Sequence, residues 1–429
     1  MSVVEEPPAD LPAGTGRRSG FSLILTSTVV AGLAGYAITF LVYRVIGTVA
    51  YATFAIFWSA LYLAVGGLSG IQQEITRGTR QAVGSGPRPA SVARTFGVIA
   101  AVAVAVLVGA TSPLWGPAAF GNGWSSLVAP IAVGAACYVL VTAIVGSLYG
   151  VEAWRSIAWM LSLDAVIRLA LLGAGLLFTH SVPVLAWLAV VPFPLTVLVL
   201  WPFIRRHLVG RTVFDVGYRA LTGNVLRTLV ASVSTGVLVS GFPLLVGLVT
   251  AGGQAALVGE LVFTITLVRA PLIVGVMSLQ SFLVVVFRDR VHWVRTLLVV
   301  GALLLAGGGG LALVAVWIGP PVLEVVGGRP GVLDGGFIGL LVVSSAGVAA
   351  LSVTAAAALA RSRHTLYGGG WAAAAAVTVL MLMLPLPLLD RVALALLAGP
   401  LAGLLVHVVA LLFTGRFAVE RGRDRSSSS

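Results

Sequence analysis

Apolar runs of about twenty residues follow one another along almost the whole chain, separated by short collars rich in arginine. A hydrocarbon core of roughly 30 Å needs a helix of that length, because each helical residue rises about 1.5 Å. Hydrophobic residues make up 59% of the 429 and charged residues only 9%, with a mean hydropathy of +1.07. A soluble domain carries roughly a quarter charged residues, so the solvent of this chain is lipid. An outer-membrane barrel is excluded by the pattern: its strands alternate apolar and polar residues over about ten positions, and here the runs are continuous. The fold class expected is therefore all-α integral membrane, with about 12 transmembrane helices.

The net charge of +12 does not point to nucleic acid, because the charges sit in collars between apolar runs and form no basic face. All 26 basic residues are arginine, a bias that fits GC-rich codons better than a mechanism. The one cysteine, Cys137, lies inside an apolar run, which rules out an internal disulfide and makes a metal cluster implausible.

Spans are expected near 21–43, 50–71, 95–113, 126–148, 157–178, 182–203, 228–250, 259–287, 296–318, 337–360, 366–389 and 392–413. The eighth is overlong and is read as broken or extended. The polar, Pro/Gly-rich residues 1–20 are expected to be a disordered tail, and the run after them is too long for a signal-peptide core. With the N-terminus inside, 21 of the 26 arginines fall in inner segments and three (Arg44, Arg329, Arg391) in outer loops. Positive residues are retained on the cytoplasmic side, so the expectation is a multi-pass inner-membrane protein with both termini cytoplasmic.

Residues 204–227 carry five arginines among mixed apolar and polar residues, a composition that suits an interfacial amphipathic helix. This linker divides the chain into a lobe at 21–203 and a lobe at 228–413, followed by a cytoplasmic tail at 414–429. Residues 28–57 and 233–262 start the two halves alike, as parallel repeats in secondary transporters do. The outer loops are short. No P-loop is present, and no HExxH, CxxC or GxSxG stands in a suitable context, so no enzyme activity and no cofactor are expected.

The segment GLAGYAITFLVYRVIGTVAYATFAIFWSALYLAVGGLSGIQQEITR, residues 32–77, resembles polysaccharide-exporting proteins of the multidrug/oligosaccharidyl-lipid/polysaccharide exporter superfamily, which includes lipid-linked oligosaccharide flippases. LVFTITLVRAPLIVGVMSLQSFLVVVFR, residues 261–288, is a second similar piece. VLEVVGGRPG, where that family often has an aromatic-Gly pair, is only approximately similar. The resemblance implies two six-helix lobes around a central cavity that opens alternately to each side. It implies a polyprenyl-linked saccharide as substrate, moved by alternating access across the inner membrane for polysaccharide biosynthesis. Membrane lipid and glycan-biosynthesis enzymes are the partners it implies.

Ionisable residues inside spans are costly, so each is a candidate for function. Asp164 and Arg168 stand four residues apart on one helix face. Two readings fit: a pair that neutralises itself within the bundle, or a cavity arginine that exchanges its carboxylate for a substrate phosphate. Arg269 has no opposite charge within one helical turn and must find a partner on another helix or on a ligand. Arginine suits phosphate because its planar fork donates two parallel hydrogen bonds. Pro271, two residues on, frees a backbone carbonyl there. Arg44, beside Tyr36 and Tyr43, either snorkels to the interface or stands at the cavity mouth. Glu74 is read as paired with Arg77 or solvated, and His407 as a packing histidine. The five histidines show no metal-ligand spacing.

Three alternatives remain at this point. A drug/cation antiporter of the same superfamily has the same helix plan. A major facilitator would carry an acidic-basic motif after the second span, and QQEITRGTRQAVGSGPRPASVAR lacks it. A membrane glycosyltransferase or polymerase would need a sizeable outer loop with catalytic residues; the longer two here hold only Glu324, Arg329 and Asp334.

Overall fold

One glycine turns the longest helix of the protein into two membrane crossings. In the computed structural model, which describes residues 15–81, 91–209, 211–214, 216–250, 254–289, 293–328 and 331–426, α1 runs from Thr15 to Gly78 and is interrupted at Gly47 (φ 80°, ψ 171°). That left-handed φ is open to glycine without steric cost. The expected tail at 1–20 lies outside the described residues up to residue 14, and from Thr15 the chain is helical.

The remaining helices are α2 (Ser91–Phe120), α3 (Ser125–Gly150), α4 (Trp154–Phe178), α5 (Val182–Val190), α6 (Pro192–Leu208), α7 (Tyr218–Val239), α8 (Phe242–Val249), α9 (Ala255–Asp289), α10 (Trp293–Gly327), α11 (Gly335–Ala360), α12 (His364–Leu382) and α13 (Leu388–Ser426). The pairs α5–α6 and α7–α8 each make one crossing in two pieces. With α1 counted twice, the described residues give twelve crossings, six on each side of the central linker. The chain is a multi-pass membrane protein.

Three details depart from the sequence reading. The linker forms no interfacial helix: α6 runs on to Leu208, a short strand β2 (Thr212–Phe214) pairs antiparallel with β1 (Thr79–Gln81), and α7 starts at Tyr218. Ladder hydrogen bonds to β1 give the linker backbone partners that an isolated amphipathic stretch would seek at the lipid surface. The eighth crossing, expected as broken or extended, takes the extended form without the break, since α9 stays helical for 35 residues through Pro271. The expected loops at 114–125 and 319–336 are mostly helical extensions, because α2 continues to Phe120 and α10 to Gly327. Asp334 then caps α11, its Oδ1 accepting the Phe337 N–H at 2.7 Å.

The face from which most arginines project is called here the Arg-rich face, and the other the Arg-poor face. Towards the Arg-poor face a single apolar core joins both lobes, with Ile38, Tyr43 and Phe54 of the first packed with Phe242, Phe263, Leu341 and Val392 of the second. Towards the Arg-rich face the core divides into smaller clusters, one of which packs Ile71, Ile75 and Phe96 of the first lobe against Leu221 and Val225 of α7. Leu148, Ile157 and Ile204 cluster within the first lobe, and Phe287, Val353 and Leu411 within the second.

Along one flank the lobes also touch through α1 and α7. A Cβ added at Gly67 would lie 2.8 Å from Val233 Cγ2, and one at Gly70 3.2 Å from the Leu229 nitrogen. Hydrophobic burial drives little association inside lipid, so close backbone approach over small residues supplies the contact. Ser59 of α1 bridges the break between α7 and α8: its hydroxyl donates to the Ser240 carbonyl at 2.6 Å and accepts the Leu244 N–H at 3.0 Å.

Candidate functional site

A cavity of about 350 Å³ lies between the lobes. Its first-lobe wall is built from both crossings of α1 and from α4, and its second-lobe wall from α7, α8 and α9. Gly32 and Gly35 line it with no atoms within 4 Å of where a side chain would begin.

Towards the Arg-poor face the cavity is roofed by aromatic rings. Tyr43 of α1 stacks on Phe263 of α9 with centroids 3.7 Å apart, and Tyr51 stands edge-on to both. Next to them the Thr48 carbonyl packs so close to Gly259 that any side chain there would collide with it.

Three of the four candidate residues, Asp164, Arg168 and Arg269, line this cavity; Arg44 does not. Arg168 is fully engaged. Its Nη2 donates to Asp164 Oδ2 at 2.6 Å and its Nη1 to the Ala189 carbonyl at 2.7 Å, with the guanidinium carbon 4.4 Å from the Phe193 ring centroid. The carbonyl is available because Ala189 lies in the last turn of α5, where the crossing breaks before α6 and the ladder ends. The arginine therefore neutralises Asp164 and mends a helix break. The carboxylate is the more open partner: 27% of the Asp164 side chain is accessible against 2% for Arg168, and among the described residues no donor reaches its Oδ1.

Arg269 is placed differently. It is 4% exposed, it makes no ion pair among the described residues, and its Nε has no hydrogen-bond partner among them. Phe242 lies beside it, its ring centroid 6.0 Å from the guanidinium carbon. A guanidinium in so sheltered a place carries an electrostatic cost that a counter-anion would relieve. Tyr36 Oη, also on a lining residue, is a second buried polar atom without a partner. The Pro271 side chain lies outside the described residues.

Arg44 stands on the Arg-poor face, exposed, with its Nη1 3.4 Å from the carbonyls of Val325 and Val326 at the end of α10. It sits where a cation complements the last carbonyls of a helix, and ties the first lobe to the second. Glu74 accepts from Arg77 Nη1 at 3.1 Å, the pairing expected, and also from Thr228 Oγ1 of α7 at 3.0 Å.

The sequence reading missed the aromatic wall. Phe54, Trp58 and Tyr62 recur at four-residue spacing along the second crossing and all line the cavity; Trp58 and Tyr62 stack with centroids 4.8 Å apart. That spacing, on one helix face, was the available signal. Among the described residues no group of three or more His, Cys, Asp or Glu is placed to hold a metal.

No family model matches the chain. It is 31% identical over 407 residues to the uncharacterized protein Rv1510 of Mycobacterium tuberculosis, covering 93% of each chain. With a second protein of that organism, the uncharacterized Rv3630, it shares 29% identity over 425 residues, 96% of this chain and 98% of the other. Among solved structures, an inward-facing multidrug resistance MATE family transporter of the MOP superfamily matches with a TM-score of 0.66 at 15% identity, covering 94% of this chain and 99% of its own. An outward-facing multidrug resistance MATE family transporter matches with a TM-score of 0.59 at 15% identity, covering 94% and 98%. At such identity the likeness carries the fold: two six-helix lobes around a central cavity, as the sequence reading expected. The solved neighbours belong to the multidrug side of the superfamily and lend no support to the polysaccharide branch.

Proposed function

Since the chain belongs to the family of the mycobacterial protein Rv1510 and is laid out as MATE transporters are, we propose that it is an alternating-access transporter exporting an amphipathic solute across the cytoplasmic membrane. The observation that carries this reading is the cavity itself, walled by charged and aromatic side chains of both lobes and roofed on the Arg-poor face by Tyr43, Tyr51 and Phe263. Lobes that share one extended core near one face and, near the other, keep their own clusters and meet only along the α7 flank are suited to rocking about the shared end. The higher TM-score against the inward-facing neighbour supports a state open towards the Arg-rich, cytoplasmic side.

The neighbours' multidrug character favours the drug-exporter reading over the narrower one, a lipid-linked saccharide. What supports the narrower reading is the resemblance at 32–77 and 261–288 together with the unpaired guanidinium of Arg269, which suits a phosphate. Asp164, Arg168 and Arg269 are the cavity residues of both readings, and Arg44 serves the closed gate. The test is transport in proteoliposomes of the purified chain, followed with a fluorescent cationic dye and, separately, a short-chain polyprenyl-diphosphate saccharide. Movement of either above protein-free liposomes supports transport and selects the substrate; movement of neither, nor of the head-group probes described next, would overturn the reading.

A further inference from the structure

The cavity presents two unlike binding groups on opposite walls. On the second lobe, Arg269 brings a guanidinium that has no counter-ion among the described residues. On the first lobe, Asp164 offers Oδ1, which no donor among the described residues reaches, in a wall shared with the stacked rings of Trp58 and Tyr62. We infer that the cavity takes a zwitterionic amphiphile, its anionic group on Arg269 and its cationic nitrogen between Asp164 and the Trp58–Tyr62 rings. This rests on the transporter reading and names the substrate chemistry of the same site.

The two arms differ in strength for a reason visible in the geometry. Arg168 already compensates Asp164 through Oδ2 and stands 5.8 Å from the Tyr62 ring centroid, so a cation finds the lone pairs of Oδ1 and the edge of the Trp58–Tyr62 stack in place of a bare carboxylate. Arg269 is uncompensated, so the anionic arm supplies the larger share. The small volume and the aromatic lining admit a head group, and the open flank at Gly32 and Gly35 leaves room for an alkyl tail to trail away. The expected order of affinity is zwitterion above anion above cation.

Three eight-carbon probes below their micelle concentrations test this on the full chain in lipid nanodiscs: octylphosphocholine, octyl phosphate and octyltrimethylammonium. Octylphosphocholine should bind about tenfold more tightly than octyl phosphate, one well-formed additional contact. Asp164→Asn should erase that preference with octyl phosphate bound no more weakly, since Arg168 loses its carboxylate, while Arg269→Gln should weaken both phosphate probes and leave octyltrimethylammonium bound no more weakly. Should Asp164→Asn lose its monodisperse elution, Trp58→Leu replaces it, with the same loss of preference expected. Equal binding of octyl phosphate and octylphosphocholine by the unaltered protein would overturn the proposal, as would octyltrimethylammonium binding the tightest. Tail-free glycerophosphocholine should bind far more weakly; equal binding would overturn the amphiphile assignment and identify a free solute. Binding in the expected order without any counterflow of the probe into proteoliposomes would count against transport and leave this assignment standing. Counterflow without head-group preference would do the reverse.

Discussion

Arg168 holds the Ala189 carbonyl at 2.7 Å, closing with a side chain of the fifth crossing the gap where the sixth breaks. The same guanidinium neutralises Asp164 and lies over Phe193, so three helices depend on one planar group. Arginine to alanine leaves a partly buried carboxylate and an orphaned carbonyl, at a cost of about 3 kcal/mol. Arg168→Ala should therefore lower the unfolding temperature in detergent markedly. Arg168→Met with Asp164→Leu should recover much of the loss, because both charges go together. Equal stability of the single variant and the unaltered protein would show that the pair carries no structural weight.

Ser59 performs a similar repair between the lobes, serving the Ser240 carbonyl and the Leu244 N–H on the two sides of the Gly241 break. Ser59→Ala removes both bonds, at about 1 kcal/mol each. Thermal unfolding should move down by a few degrees. Ser59→Cys, whose thiol is a weaker donor and acceptor, should fall between the two.

Much of this architecture is legible in the sequence, and the reason is physical. Lipid leaves the backbone no partner but itself, so apolar runs must become helices, and the arginine collars mark where they leave the membrane. The pairing of Asp164 with Arg168 followed from spacing alone. Its second duty did not, because the Ala189 carbonyl is freed by a helix break about twenty residues further on and reached only through packing. His407 was readable as a packing histidine: its Nδ1 meets Thr354 Oγ1 at 2.9 Å and its Nε2 the Leu366 carbonyl at 3.1 Å. Arg44, between the interface and the cavity mouth in the sequence, instead reaches the end of α10, a contact between residues 281 apart that spacing cannot show. The linker misled for a similar reason, since its partner strand lies on the far side of four crossings.

His407 makes a stability prediction of its own. Both ring nitrogens have partners and the ring fills the space beside Gly370, where an added Cβ would lie 2.0 Å from Nε2. His407→Leu keeps the bulk and leaves the Thr354 hydroxyl its local bond to the Leu351 carbonyl, so the loss should be small. Gly370→Val drives the ring from its place and should cost more, about 2 kcal/mol or above, as overpacking of a tight core does. Thermal unfolding of the two variants side by side checks the order; the reverse order would mean that the hydrogen bonds, not the packing, hold α12 to α13.

The roof over the cavity gives the most direct test of motion. At Gly259 the backbone of α9 meets the Thr48 carbonyl so closely that a Cβ would sit 2.0 Å from the oxygen, and the Tyr43–Phe263 stack is built on that approach. A methyl group cannot be accommodated without moving the first crossing and α9 apart at the Arg-poor face. Gly259→Ala should thus disfavour the closed roof, while the lobes stay joined along the Ser59–Ser240 flank. A cysteine introduced by Thr39→Cys, on the cavity wall, reports the change in a Cys137→Ser background. With the Arg-poor face outside, as the proposed orientation has it, a membrane-impermeant maleimide added to whole cells should label that cysteine slowly in the parent and at least several-fold faster with Gly259→Ala. Arg44→Ala, which releases the end of α10 from the first lobe, should act in the same direction and more weakly, since an exposed contact at 3.4 Å contributes little. Unchanged labelling in Gly259→Ala would mean that the roof is not the barrier between the cavity and that face.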